Sequence, residues 1–427
     1  MSILIFLLAL FGAMVIGMPI AFALLASAVA LMFQLDMFNS QIIAQNLING
    51  TTSFSLMAVP FFLLAGEVMN TGGLSKRIVK VCLVFVGHVR GGLGYVTIIA
   101  ACLLASLSGS AVADAAALAT LLVPMMTAAG HRRGQACGLV AAGGIIGPII
   151  PPSIPFILFG VAGGVSISKL FLAGIFPGLY MGAGLAFTWW YTTRNDEVRV
   201  HEKQSLAVLF AAFKEGVWAL MLPGIIIFGL KFGIFTPTEA AVVAAVYSLF
   251  VAVFIYRELK FSQIFEVLVT ATRSTGVVMF LIAAALVAAW LITIADLPGQ
   301  MVALIEPLMG HPTLLVLAVV AILFGAGCVM DLAPIILILT PVFLPIARQA
   351  GINDVYFGVI FVVCGSIGLI TPPVGVVLNV VAGATKSTML QVVKGVSPFL
   401  VSHSIILFLM VFFPALVTVP ARWFGAY

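Results

Sequence analysis

Of the 427 residues, 63% are hydrophobic and 8% charged, whereas a surface in water needs roughly 25% charged residues; a soluble globular fold is excluded. The net charge of +5 suggests no nucleic-acid partner, and the 19 Lys and Arg serve mainly to mark which loops face the cytoplasm. Apolar stretches of about 20 residues recur from end to end. They are continuous rather than alternating, so they predict helices, not barrel strands, in a lipid bilayer.

The first stretch, 2–34, is interrupted by Gly17-Met18-Pro19, which reads either as a kink or as a tight turn between two short spans. It lacks a basic leading region and is not read as a cleaved signal peptide. Further apolar segments follow at 52–70, 78–100, 100–128, 134–164, 169–191, 216–234, 238–256, 272–295, 313–347, 355–384 and 396–420. The connections His131-Arg132-Arg133, Arg194 to Lys203, Arg257 to Lys260 and Lys386 to Lys394 are basic and are expected in the cytoplasm, as are Lys76, Arg77 and Lys80. Trp189-Trp190-Tyr191 reads as an interfacial aromatic belt, and Ser205–Gly216 as a segment lying flat on the same surface. The five cysteines form no C-x-x-C pair and read as small packing residues, Cys328 being the exception. The five histidines show no metal-ligand spacing.

A shift of 221 residues aligns Pro124 with Pro345, Gly130 with Gly351, Gly144 with Gly365 and Gly147 with Gly368. It also aligns Pro151-Pro152 with Pro372-Pro373, Ser166 with Ser387, Gly174 with Gly395 and Pro177 with Pro398. Glycines and prolines mark where a helix must bend or approach another closely, so their shared offset indicates an internal repeat. Residues 52–191 form the first copy, 192–270 connecting or scaffold helices, and 271–420 the second, within one transport unit over 1–427. Loop charges start the segment 134–164 inside; if 313–347 re-enters, 355–384 starts outside, giving an inverted repeat. The expected fold is an all-α polytopic membrane protein, an inverted-repeat ion-transporter fold with two re-entrant hairpins and two discontinuous helices.

Ser106-Leu107-Ser108-Gly109-Ser110 and Gly325-Ala326-Gly327-Cys328-Val329-Met330-Asp331 read as hairpin tips. Their carbonyl and hydroxyl oxygens suit a cation, and the N–H groups of the following helices suit an anion. Close helix packing is the plainer reading of such small residues. The second pair of interruptions is Gly147 to Pro155 and Gly368 to Gly375. Adjacent prolines there strip carbonyls of their partners, which a dehydrated Na⁺ can satisfy, although a simple kink is the alternative. Candidate cation ligands are thus Ser106, Ser108, Gly109, Gly147, Gly325, Gly327, Cys328, Asp331, Gly368 and Thr371; candidate substrate contacts are Ser110, Asp114, Ser153 and Asn379. Asp331 either caps the following helix or balances cation charge. Glu67 is expected to pair with a neighbouring helix or another subunit, and Glu239, in Thr236-Pro237-Thr238-Glu239, to sit at the N-terminus of a helix that Pro237 or Thr238 opens. No nucleotide-binding or zinc-hydrolase motif is present.

Four stretches resemble the large membrane subunit of tripartite ATP-independent periplasmic (TRAP) transporters: Phe54 to Gly73 (FSLMAVPFFLLAGEVMNTGG), Leu104 to Met126 (LASLSGSAVADAAALATLLVPMM), Gly144 to Gly160 (GIIGPIIPPSIPFILFG) and Asp331 to Val376. The resemblance spans essentially the whole chain; FTPTEA, AWLITIADLP and VMDLAPIILILTP are most similar to its 2,3-diketo-L-gulonate type. It implies Na⁺-coupled import of an organic acid anion (a sugar acid, keto acid or C4-dicarboxylate) across the bacterial inner membrane. It further implies a small four-helix membrane subunit, a periplasmic solute-binding protein, and an elevator-like movement. The family's Na⁺ sites carry over onto Ser106, Ser108, Gly109, Gly325, Gly327 and Cys328 for one ion, and Gly368 and Thr371 for another; Ile150 departs from its repeat partner Thr371. The alternatives are a stand-alone Na⁺–organic anion symporter and, more remotely, an intramembrane hydrolase using Ser108 or Asp331.

Overall fold

The computed structural model describes residues 2–196, 203–305 and 310–426, except the side chains of 106–108 and 302–305. Helices α1 (Ser2–Val15) and α2 (Ile20–Gln34) fold back on each other. Gln34 Nε2 donates to Ser2 Oγ at 3.0 Å, joining the far ends of the pair, and Gly17 turns the chain with φ +86°. Gly17-Met18-Pro19 is therefore a tight turn. Helix α3 (Ser40–Thr51) starts on the Asn39 side chain, which accepts from Gln41 N at 2.8 Å; at 12 half-polar residues it carries no span signal.

The chain continues through α4 (Ala58–Thr71), α5 (Leu74–Val86), α6 (Gly92–Ser108), α7 (Ala111–Ala128), α8 (Arg133–Gly144), α9 (Ile154–Gly163) and α10 (Ile167–Thr193). The segment expected as one span at 78–100 is cut between Gly87 and Gly91, where Gly91 takes φ +71°. Next come α11 (Leu206–Lys231), α12 (Pro237–Phe250, prolonged by a wider turn over Val251–Ile255), α13 (Phe261–Ile294) and α14 (Leu297–Ile305). The last six are α15 (Pro312–Gly327), α16 (Leu332–Gln349), α17 (Asp354–Gly368), α18 (Val376–Thr385), α19 (Met389–Phe412) and α20 (Ala415–Trp423). Among the described residues, eight helical segments are long and apolar enough to cross a bilayer.

Two sequence expectations are corrected by packing. Ser205–Gly216 is no separate surface segment but the first turns of the 26-residue α11, because its Glu215 is paired with Lys80 Nζ at 2.5 Å and Arg77 Nε at 3.5 Å of α5. Trp189 is not part of an interfacial belt. It is fully buried, its Nε1 donating to Gly91 O at 2.9 Å across the α5–α6 turn. Trp190 and Tyr191 are exposed.

The offset of 221 carries α7 onto α16 end for end. Contacts follow the same exchange: α7 packs on α8 and α18, while α16 packs on α17 and α9. Likewise α8 lies on α19 and α17 on α10. Glycine makes the α8–α19 approach possible, since a Cβ on Gly134 would stand 2.8 Å from Gln391 O and one on Gly138 would strike the Gly395 backbone.

Helix α10 fixes the relative direction of the two halves. Its 27 residues span about 40 Å. Its C-terminal end carries Trp189, 5.0 Å from the His131 ring, while its N-terminal end adjoins Gly163. At the first end Arg133 donates to Ser387 Oγ (2.9 Å) and to Thr385 O; at the other, Arg348 donates to Gly163 O (2.9 Å) and pairs with Asp354. Residues 131–133 and 348–354 thus occupy opposite ends of the molecule.

Candidate functional site

Each of the hairpin-like units α6–α7 and α15–α16 turns on a cap that its sequence supplies. Gly109 adopts φ +61° to end α6, and Ser110 then caps α7, its hydroxyl accepting from Ala113 N at 3.4 Å. The position 221 residues on is Asp331, which caps α16 by accepting from Leu332 N at 2.8 Å. The helix-capping reading of Asp331 is therefore realised. One tip ends in a neutral cap and the other in a carboxylate.

Both tips rest on the interrupted helices. A Cβ on Gly109 would lie 2.7 Å from Pro152 O, so the first tip sits directly on the α8–α9 interruption. At the second, Gly327 and Gly368 pack backbone to backbone, and Gly375 N donates to Cys328 O at 3.4 Å. The Pro151–Pro152 and Pro372–Pro373 bonds are both cis. Within the first interruption Ser153 is fully buried; its hydroxyl donates to Pro148 O and accepts from Phe156 N at 3.2 Å, joining the two sides of the gap. Within the second, Thr371 Oγ1 donates to Ile367 O at 2.9 Å, which leaves its lone pairs as acceptors.

A cavity of about 560 Å³ opens where these parts meet. Its walls include Gly109 to Ala113 from the first tip and Asp331 to Ala333 from the second. Pro148 and Leu369, one from each interruption and 221 residues apart, also line it. The remaining wall comes from α9 (Ile154, Pro155 and Leu158), α4 (with Glu67 and Asn70) and α13 (with Ser274). Among the described residues lining it, none is Lys, Arg or His.

The structure separates the expected site residues. Ser110, Gly109 and Asp331 line the cavity. Asp114, 5% exposed, lies behind it, with Oδ2 against the Cα of Gly147 where a Cβ would collide. Ser153 and Asn379 are not among the lining residues: Ser153 bridges its interruption, and Asn379 Nδ2 donates to Val374 O at 3.0 Å on an exposed face of α18. Gly327, Gly368 and Cys328 come together at the second tip, Thr371 follows within the interruption, bonded to Ile367 and Gly368, and Gly325 faces open space. The side chains of Ser106 and Ser108 lie outside the described residues. Carbonyls, hydroxyls and the Asp114 carboxylate are hard oxygen donors, the set that fits an alkali cation rather than a transition metal. Sequence reasoning missed Asn70 and Ser274; Glu67, expected to pair with a neighbouring helix or another subunit, also lines the cavity, and the signal of all three was polarity inside apolar runs.

A model of the tripartite ATP-independent periplasmic transporter DctM component matches residues 7–416. The 2,3-diketo-L-gulonate TRAP transporter large permease protein of Escherichia coli (strain K12) is 54% identical over 99% of this chain and 100% of that protein. The C4-dicarboxylate TRAP transporter large permease protein of Pseudomonas aeruginosa is 37% identical over 92% of each. Among solved structures, the Alcanivorax borkumensis YdaH transporter is similar in fold, with a TM-score of 0.65 and 15% identity over 90% of this chain and 87% of that one.

Proposed function

The chain belongs to the DctM family of TRAP transporters, and from that premise we propose a Na⁺-coupled importer in which the two tips and two interruptions form one binding centre. It is a multi-pass inner-membrane transport permease for an organic acid, not an enzyme; the hydrolase reading is set aside because its relatives are transport permeases. The observation that carries the proposal is the single cavity lined by both tips and both interruptions. The N-terminus of α7 there supplies N–H groups to an anion, and interrupted backbone supplies oxygens to Na⁺.

In this reading the opposed halves are an inverted repeat, the tips are those of re-entrant hairpins, and the hairpin-bearing core moves against α4, α11, α12 and α13, elevator fashion. A periplasmic binding protein delivers the anion and a small four-helix subunit supports the frame.

Reconstitution into liposomes with both partners tests this. Uptake of 2,3-diketo-L-gulonate or succinate that requires an inward Na⁺ gradient is expected; equal uptake with K⁺ replacing Na⁺ would remove the coupling. Uptake by the chain alone would favour the stand-alone symporter.

A further inference from the structure

The cavity is asymmetric in a way that bears on which anion it takes, an inference that rests on the organic-anion reading above. At the second tip the N-terminus of α16 already holds a carboxylate, Asp331, on its first N–H. At the first tip α7 is capped by neutral Ser110, and the carboxylate of its first turn, Asp114, lies buried behind the cavity wall; Ala111 to Ala113 line the cavity there, so the leading N–H groups of α7 are the ones offered to a substrate carboxylate. The opposite chemistry comes from α4. Glu67 lines the cavity, half-buried, and forms no hydrogen bond or ion pair among the described residues. One helical turn on, Asn70 lines it as well; its Oδ1 accepts from Ser75 Oγ at 2.9 Å, which turns the amide so that Nδ2 remains as donor.

An acceptor and a donor one turn apart on one face match neighbouring hydroxyl or carbonyl groups. A second substrate carboxylate would instead meet Glu67 and Asp331, with no cationic side chain among the described lining residues to offset it. We propose that Glu67 and Asn70 are specificity-determining residues that read the hydroxylated end of a monocarboxylate and reject a dicarboxylate. A site built to accept hydrogen bonds discriminates strongly because the wrong ligand leaves its groups unpaired or opposed.

The test is direct binding to the full chain in lipid nanodiscs at saturating Na⁺, by calorimetry, with 2,3-diketo-L-gulonate and succinate as probes. The wild type should bind the sugar acid at least about tenfold more tightly than succinate, and E67Q should narrow or invert that ratio by about tenfold. An unchanged ratio in a folded E67Q overturns the proposal, as does a change confined to the Na⁺ concentration for half-maximal binding, which would make Glu67 a cation ligand. If E67Q does not fold, E67D decides: weaker sugar-acid binding with succinate still rejected supports the assignment, and unchanged affinity for both refutes it. Tighter binding of succinate by the wild type would sink this inference alone, whereas a wild type that binds neither acid at any Na⁺ concentration would sink the organic-anion reading with it.

Discussion

Gly147 and Gly368 show how much a single hydrogen can decide. A methyl at Gly147 would enter the Asp114 carboxylate, and one at Gly368 would stand 2.6 Å from the Gly327 Cα. The Gly327 neighbour is backbone, and the Asp114 side chain is short and buried, so G147A and G368A should each cut Na⁺-driven uptake by more than about tenfold, measured in proteoliposomes at matched protein content. T371V keeps the volume and removes the coordinating oxygen; it should raise the Na⁺ concentration for half-maximal uptake several-fold, and an unchanged value would remove Thr371 from the site. His131 lies in the loop before α8, buried beside Trp189. Burial lowers its pKa, with Asp196 opposing. Its contribution to stability is therefore complete above the ordinary value of about 6.5 and is lost as pH falls through the depressed one. The melting temperature of the wild type should fall more steeply than that of H131Q below about pH 6. At this scale Glu239 was legible, because Thr236-Pro237-Thr238-Glu239 is a local cap: Glu239 Oε2 accepts from Thr236 N at 2.7 Å. Trp189 was not, because its partner Gly91 lies 98 residues away.

Elements were readable wherever local chemistry ends them. Proline pairs and glycines placed both interruptions and both tips, since a missing N–H or a positive φ acts within a turn. The α5–α6 boundary was missed because the residues from Ile78 onward stay largely apolar up to Gly87 and resume after Gly91, so that hydropathy averaged over a span runs across the short His88-Val89-Arg90 turn between them. Likewise Lys214 and Glu215 look interfacial alone, whereas the Lys80 and Arg77 contacts tie this stretch to α5 as the opening turns of α11. The Thr236–Glu239 box starts α12, which packs along α4. E239A removes one half of that box and should lower the unfolding midpoint slightly, with the Na⁺ dependence of uptake unchanged.

For the whole molecule, direction is the property on which the rest depends. Cysteines placed by Arg132→Cys and Asn353→Cys, both at exposed positions, should react with a membrane-impermeant maleimide from opposite sides of the membrane; labelling from one side would dissolve the opposed arrangement. The sequence by itself determined that the chain lives in lipid, that its spans are helices, and that two units repeat at an offset of 221 with their interruptions in place. These follow from composition, periodicity and backbone restrictions that act locally. Only the tertiary structure decided which polar groups share the cavity. It put Asp114 behind the wall and Ser153 inside a gap, and brought Glu67, Asn70 and Ser274 forward. The physical reason is that a side chain's outlook is set by the helices packed around it, and α4 and α13, which close the cavity, show none of the paired glycines and prolines by which the repeat was read.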